Sequence, residues 1–329
     1  MVTVWCQTAS FSRMFSVLLI FGILSVGSAV QQLVVMHAPK YVTFQQQTAD
    51  LQTSQLPGMV ANTLGVGAHK DIGWQGMLHS SVFKRPKANV MLTVEIPPAL
   101  ADKPLALNNM AKFPVMDDLP FFDLESVRNS IQKTFLDQEP LMLDLLTDNT
   151  MFDLQSENQL FKKLPNSLRQ VKDRLHDPDS VIQKLTSGSL NSSLTPDMTL
   201  MGEMQMVNDI IQTLFKNPGL LKNKSPDLFS FTVSGLKSVV DKHGAQSSQT
   251  ADAQKMLTDF IHSMTGDLKK LYKDNVVVEV FLTTMPKGQS RKVRSLMADP
   301  TPVRVALHHK LFINHHFSSG GFHRVLHQM

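Results

Sequence analysis

The chain has 329 residues, of which 42% are hydrophobic and 18% charged, with a formal net charge of +4. That composition supplies a core and excludes wholesale disorder. So mild and scattered a cationic excess excludes a nucleic-acid partner.

The N-terminus reads as a secretory leader. Residues 15–24, FSVLLIFGIL, have the length of a signal-peptide apolar region, preceded by Arg13 and followed by Ser25, Gly27, Ser28 and Ala29. Cleavage after Ala29 puts Gly27 and Ala29 at the two small-residue positions. Met14, just before the run, is a second candidate start. A buried core helix or a membrane anchor is the competing reading, but the run is short for a span. The only cysteine, Cys6, leaves with this leader. The mature chain then has no disulfide, no Cys-ligated zinc and no thiol chemistry, and its core alone must hold it together.

Residues 31–44 suggest a strand pair, or a strand and turn, broken at Pro39. The Gln-rich segment 45–56 reads as a loop or short helix. A loop with Gly65, Gly67, Gly73, Gly76 and Trp74 leads into the basic turn Phe83-Lys84-Arg85-Pro86-Lys87. There Trp74 and Phe83 are expected to pack inward while the charges stay in water. Residues 88–96 then form a buried strand, stopped by Pro97-Pro98. Five prolines between 97 and 120 mark a long surface connection.

Asp123 is a candidate N-cap for a helix with Leu124, Val127, Ile131 and Phe135 on one stripe, ending before Pro140. Residues 141–146 read as a second buried strand. From Leu160 the pattern is helical, with Leu164, Leu168, Val171 and Leu175 on one face and His176-Asp177-Pro178 as the stop. Residues 186–196 form a Ser- and Gly-rich loop. Helices are expected over 201–216, over 227–243 with Gly244 at the C-terminal position, and over 251–272. Residues 275–284, NVVVEVFLTT, are the clearest strand. The fold class is therefore α/β: a mixed sheet with strands near 88–96, 141–146 and 275–284, and a helix-rich middle section. The 19 methionines fall mostly at helical spacing, which reads as core before it reads as an adaptable surface.

No catalytic constellation is present. GAHKD at 67–71 lacks the spacing of a phosphate loop, and neither GxSxG nor HExxH occurs. Asp117, Asp118 and Asp123 are close in sequence, but Asp123 is accounted for as a cap. His69 and His79 flank Trp74 and read as hydrogen-bonded loop residues. No cofactor or metal ligand set emerges. An enzyme or small-molecule carrier using the Gly-rich loop between His69 and Trp74 is the alternative to a binding protein.

Three features concern processing. Asn191-Ser192-Ser193 and Asn223-Lys224-Ser225 are glycosylation sequons, the second made the poorer acceptor by Pro226. Arg291-Lys292-Val293-Arg294 has the R-x-x-R pattern gripped by acidic-cleft convertases, just beyond the last strand. Residues 298–329 hold six of the twelve histidines, among them the pairs His308-His309 and His315-His316. Such a tail is either metal-binding or irregular.

The stretch GxxxDIGWxG followed by FKRPKANVMLTVE resembles the renin receptor family. So do FDLESVRNSIQKTF, LPNSLRQVKDRL, KSPDLFSFTVSGL and YKDNVVVEVFLTT, which together cover most of 31–297. The resemblance implies a non-enzymatic luminal or extracellular domain, residues 30–297, followed in the family by one membrane helix and a short cytosolic tail. It implies cleavage at the site matching Arg291, Lys292 and Arg294. It implies binding of renin and prorenin, support for assembly of the vacuolar proton ATPase through its membrane-sector subunits, and an adaptor role toward Wnt receptors. The implied locations are the endoplasmic reticulum, the Golgi, the endosome and lysosome, and the cell surface. After Met297 the His-rich tail stands where the family has its membrane helix, so a form in the secretory lumen, or secreted, is expected.

Overall fold

The computed structural model describes residues 31–284, apart from 46–49, 68–73, 79–83, 104, 117–121, 149, 157, 176, 178–179, 181, 183–184 and 186–188. They lie in the first of two compact units, Met1–Lys287.

In chain order the elements are β1 (Gln31–His37), β2 (Thr43–Phe44), β3 (Leu51–Gln52), α1 (Leu56–Thr63), β4 (Met77–Leu78), β5 (Ala88–Glu95), β6 (Ala111–Met116) and α2 (Glu125–Thr134). There follow β7 (Met142–Asp148), β8 (Met151–Gln155), α3 (Leu168–Arg174), α4 (Thr195–Lys216), β9 (Asp227–Val233), α5 (Gly235–His243), α6 (Ser248–Tyr272) and β10 (Val276–Thr283). Eight strands make one mixed sheet in the order β3-β6-β1-β10-β5-β9-β7-β8, while β2 and β4 pair apart. The four central strands, β10, β5, β9 and β7, are mutually parallel. Antiparallel β1 joins them on one side, and the β7–β8 hairpin closes the other.

Both faces of the sheet are covered, which is why its central strands read as continuous apolar runs rather than as alternation. Successive side chains point to opposite faces. Val276, Val278, Val280 and Leu282 of β10 join Val90, Leu92 and Val94 of β5 under α3 to α6. Val277 and Phe281 join Met91, Leu33 and Val35 under α1 and α2. Helix α4 is buried on nearly every side, with Met198, Met201, Met204 and Met206 at most 5% exposed. An all-round apolar helix of this kind belongs inside, and its methionines are core.

Two contacts fix the helical layer. A Cβ on Gly235 would lie 2.5 Å from the backbone of Leu200, so only glycine lets α5 start against α4. Glu203 of α4 accepts from Ser234 N (2.9 Å), Ser234 Oγ (2.8 Å) and Gly235 N (2.7 Å), satisfying donors at the α5 N-terminus from a neighbouring helix. Gly244 ends α5 at φ +86°, and Ser247 caps α6 by accepting from Thr250 N.

The structure redraws several of the elements expected from the sequence. The segment 227–243 is not one helix: DLFSFTV is the central strand β9, and the helix starts only at Gly235. Its Leu228, Phe229, Phe231 and Val233 suit either period, and burial in the sheet decides. The Pro-rich connection contains β6, which tolerates Pro114 because β3 pairs only with Val115 and Met116. The helix expected from Leu160 is a 3-10 turn (Phe161–Lys163) and then α3, separated across Pro165. Helix α1 and strand β8 were not expected, and α4 begins earlier than residue 201.

Candidate docking site

The basic turn before β5 is where the chemistry gathers. Pro86 points the chain so that Lys87 turns inward while Lys84 and Arg85 stay outside. Lys87 Nζ donates to Asp227 Oδ1 (3.1 Å), Ser225 O (2.6 Å) and Asn223 Oδ1. Asp227 is fully buried, and it also accepts from Leu141 N (3.2 Å) and from the Tyr272 hydroxyl (3.1 Å). One carboxylate thus ties the starts of β5, β9 and β7 to the end of α6. Burial pushes the Asp227 carboxyl up while the Lys87 cation opposes it. Burial pushes Lys87 down and Asp227 offsets that. Burial, reinforced by Asp227, carries the Tyr272 phenol well above its ordinary value.

Residues close in sequence to Lys87 and Tyr272 line an open groove of about 380 Å³. Lys84 and Arg85 form one wall; Lys273, Asp274 and Asn275, between α6 and β10, form the other, with Pro39 and Tyr41 alongside. The Arg85 guanidinium lies 4.3 Å from the ring centroid of Phe135, a cation–π contact that holds it against the end of α2. Tyr41 donates its hydroxyl to Asn275 Oδ1. Lys273 and Asp274 both have left-handed backbones, φ +51° and +62°, where glycine or asparagine is usual. His37 contacts the Asp274 carbonyl at 3.3 Å, and burial lowers its pKa.

The expected site residues fall in different places. Trp74 is 5% exposed and packs edge-on against Phe113 at 5.0 Å, so it belongs to the core. Residues 69–73, His79 and Phe83 lie outside the described residues, as do Asp117, Asp118, Ala29, Arg291, Lys292, Arg294 and the histidine tail. Asp123 is not the N-cap expected: that position is Leu124, with no side-chain cap, and Asp123 sits one residue earlier, its Oδ1 accepting from Glu125 N at 3.0 Å. Asn191 is exposed at a turn, its Oδ1 accepting from Ser193 N at 2.8 Å. Asn223 is held at both ends of its amide: Oδ1 takes the Lys87 proton and Nδ2 donates to the Glu139 carbonyl at 2.6 Å. Among the described residues no group of three or more His, Cys, Asp or Glu could hold a metal ion, and no helix is long and apolar enough to cross a membrane.

Sequence reasoning missed Asp227, Tyr272, Lys273 and Asp274. The one legible signal was LYKDN, which ends a long helix with two charged residues where a glycine belongs.

The groove sits on an α/β domain whose mixed eight-stranded sheet is packed by helices on both faces. The renin receptor N-terminal domain family matches residues 29–285, and the chain belongs to the renin receptor family. It is similar to the renin receptors of Homo sapiens (30% identical, covering 80% of this chain and 75% of the relative), Rattus norvegicus (29%, 80% and 75%) and Mus musculus (29%, 85% and 79%). No solved structure matches.

Proposed function

We propose that this chain is a non-enzymatic receptor and accessory protein of the secretory pathway. It binds renin and prorenin, and it supports assembly of the vacuolar proton ATPase through contacts with membrane-sector subunits. The observation that carries the reading is the family match over 29–285, which takes in every described strand and helix. Trp74, the anchor of the alternative enzyme or carrier pocket, is spent on packing against Phe113. The test is capture of renin and prorenin by the immobilised full chain, together with rescue of lysosomal acidification in cells lacking the endogenous relative. Absence of both would overturn the reading.

The same reading carries three processing steps. The leader is removed after Ala29, and a convertase cuts after Arg294, beyond β10. A glycan is carried on Asn191, which is exposed, with Asn223 the poorer acceptor because Pro226 follows its sequon. A convertase inhibitor should lengthen the product; an unchanged mass would refute the cleavage.

A further inference from the structure

We propose that the groove between the Lys84-Arg85 turn and the Lys273-Asn275 turn docks an acidic peptide segment of a partner protein. Three observations meet there. First, Lys84, Arg85 and Lys273 converge on one groove, and none of them has an ion pair among the described residues. One acid, Asp274, also lines the groove, its exposed carboxylate 3.8 Å from His37 and 3.9 Å from Lys269, so the lining carries three cations against one acid. Like charges so placed repel one another, and a carboxylate-bearing ligand removes that repulsion.

Second, the donors are presented on a fixed frame. The Arg85 guanidinium is held over the Phe135 ring, 4.3 Å from its centroid, and a guanidinium fork suits bidentate contact with a carboxylate. Asn275 receives the Tyr41 proton on its oxygen, which leaves its amide nitrogen as a further donor. Close to them in sequence, the Lys87–Asp227–Tyr272 pin holds the starts of the strands in place.

Third, the backbone is strained at this point. Consecutive left-handed Lys273 and Asp274 are disfavoured conformations, and strain kept where a glycine would relieve it points to a use for the side chain. A helix C-terminus alone would be served by glycine at this position. The groove is open and shallow, so it suits an extended segment lying across it rather than a small molecule enclosed by it.

The surface adds a face and a partner chemistry to the docking reading above, and its test is separate from renin capture. The probe is a fluorescent oligoglutamate peptide, titrated against the full chain by fluorescence polarisation. Lys84→Glu with Lys273→Glu, both at exposed positions, should weaken binding about tenfold or more. The same change in charge at exposed Lys112 and Lys163 should weaken it little. Lys273→Gly should raise the melting temperature, because strain is relieved, while weakening the peptide. No peptide binding at low ionic strength, equal losses in the two double variants, or full binding by Lys273→Gly would each overturn the proposal. Stronger competition by phosphatidylserine vesicles or inorganic phosphate than by unlabelled peptide would also overturn it, by assigning the groove to anionic headgroups or phosphate. Renin capture that survives the double reversal leaves the receptor reading standing while the peptide titration decides this one.

Discussion

On the helical side of the sheet, Glu203 is fully buried and receives three hydrogen bonds from Ser234 and Gly235. On the opposite side, Glu279 of β10 is equally buried, between Val277 and Phe281, and receives one, from Asn89 Nδ2 at 3.0 Å. Its second oxygen, and the oxygen of Asn89, find no partner among the described residues. Burial raises both carboxyls to about 7, against the donors that each receives. Two acids with the same burial therefore differ in what they do: Glu203 joins α4 to α5, and Glu279 is a half-satisfied group inside the sheet. A polar group in the interior stabilises a fold to the extent that its partners are complete.

The sharpest way to break the comparison is to unmake a satisfied group. Lys87→Met removes the cation that Asp227 depends on and leaves a buried, uncompensated carboxylate. The expected loss is about 3–5 kcal/mol, read by denaturant titration. A loss under about 1 kcal/mol would show that Asp227 is not held by the lysine.

Next in size is the pH dependence. The Glu279 pKa is raised from an ordinary 4.5 to about 7, so the folded state holds its proton more tightly than the unfolded chain. Its contribution is fully present below about 4.5 and is lost as pH rises through about 7. Glu203 shifts in the same direction, so melting temperature should fall between pH 5 and 8. Glu279→Gln keeps a neutral partner for Asn89 and should recover up to about 3 kcal/mol at pH 8, with little change at pH 4.5. A variant no more stable than the parent at pH 8 would remove Glu279 as a source of that slope.

The same replacement on the other face should have a smaller effect. Glu203 is also protonated well below about 7, so Glu203→Gln should change little at pH 4.5, and at pH 8 it should recover less than Glu279→Gln because the ionised Glu203 still accepts three donors. Smallest of all are the sequon changes. Asn223→Gln should cost about 1 kcal/mol, from a displaced amide, and leave glycan mass unchanged. Asn191→Gln should shift the mass on a gel and leave stability within about 0.5 kcal/mol.

Much of the sheet was legible because its central strands are enclosed on both faces. β5, β7 and β10 announce themselves as apolar runs between breakers, and α6 as a long apolar stripe, although its serine cap at 247 and its first turn were not read. β9 was hidden, since DLFSFTV has no period that excludes a helix, and only its neighbours β5 and β7 make it a strand. β6 was hidden behind its prolines. Of the candidate site, the KRPK turn stood out in the sequence, but its partners did not. Asp227 lies 140 residues from Lys87 and Tyr272 another 45 beyond, and no local pattern brings them together. The two tight bends at Lys273 and Asp274 carry residues that local propensity argues against, and sequence reasoning fails where tertiary context overrules it.

The last of the described strands stands in the middle. β10 lies between β1 and β5, with one partner from the very beginning of the described chain and the other from its first third. Until residue 283 is available to pair, the earlier described strands have a vacant slot at their centre and two raw edges, which invite mispairing. The described sheet therefore closes only when β10 arrives, whatever its helices have formed before, and its completion rests on long-range pairing. A clip at 294 would trim the finished article, whereas a stop codon a few positions before 276 would leave two half-sheets with nothing to join them.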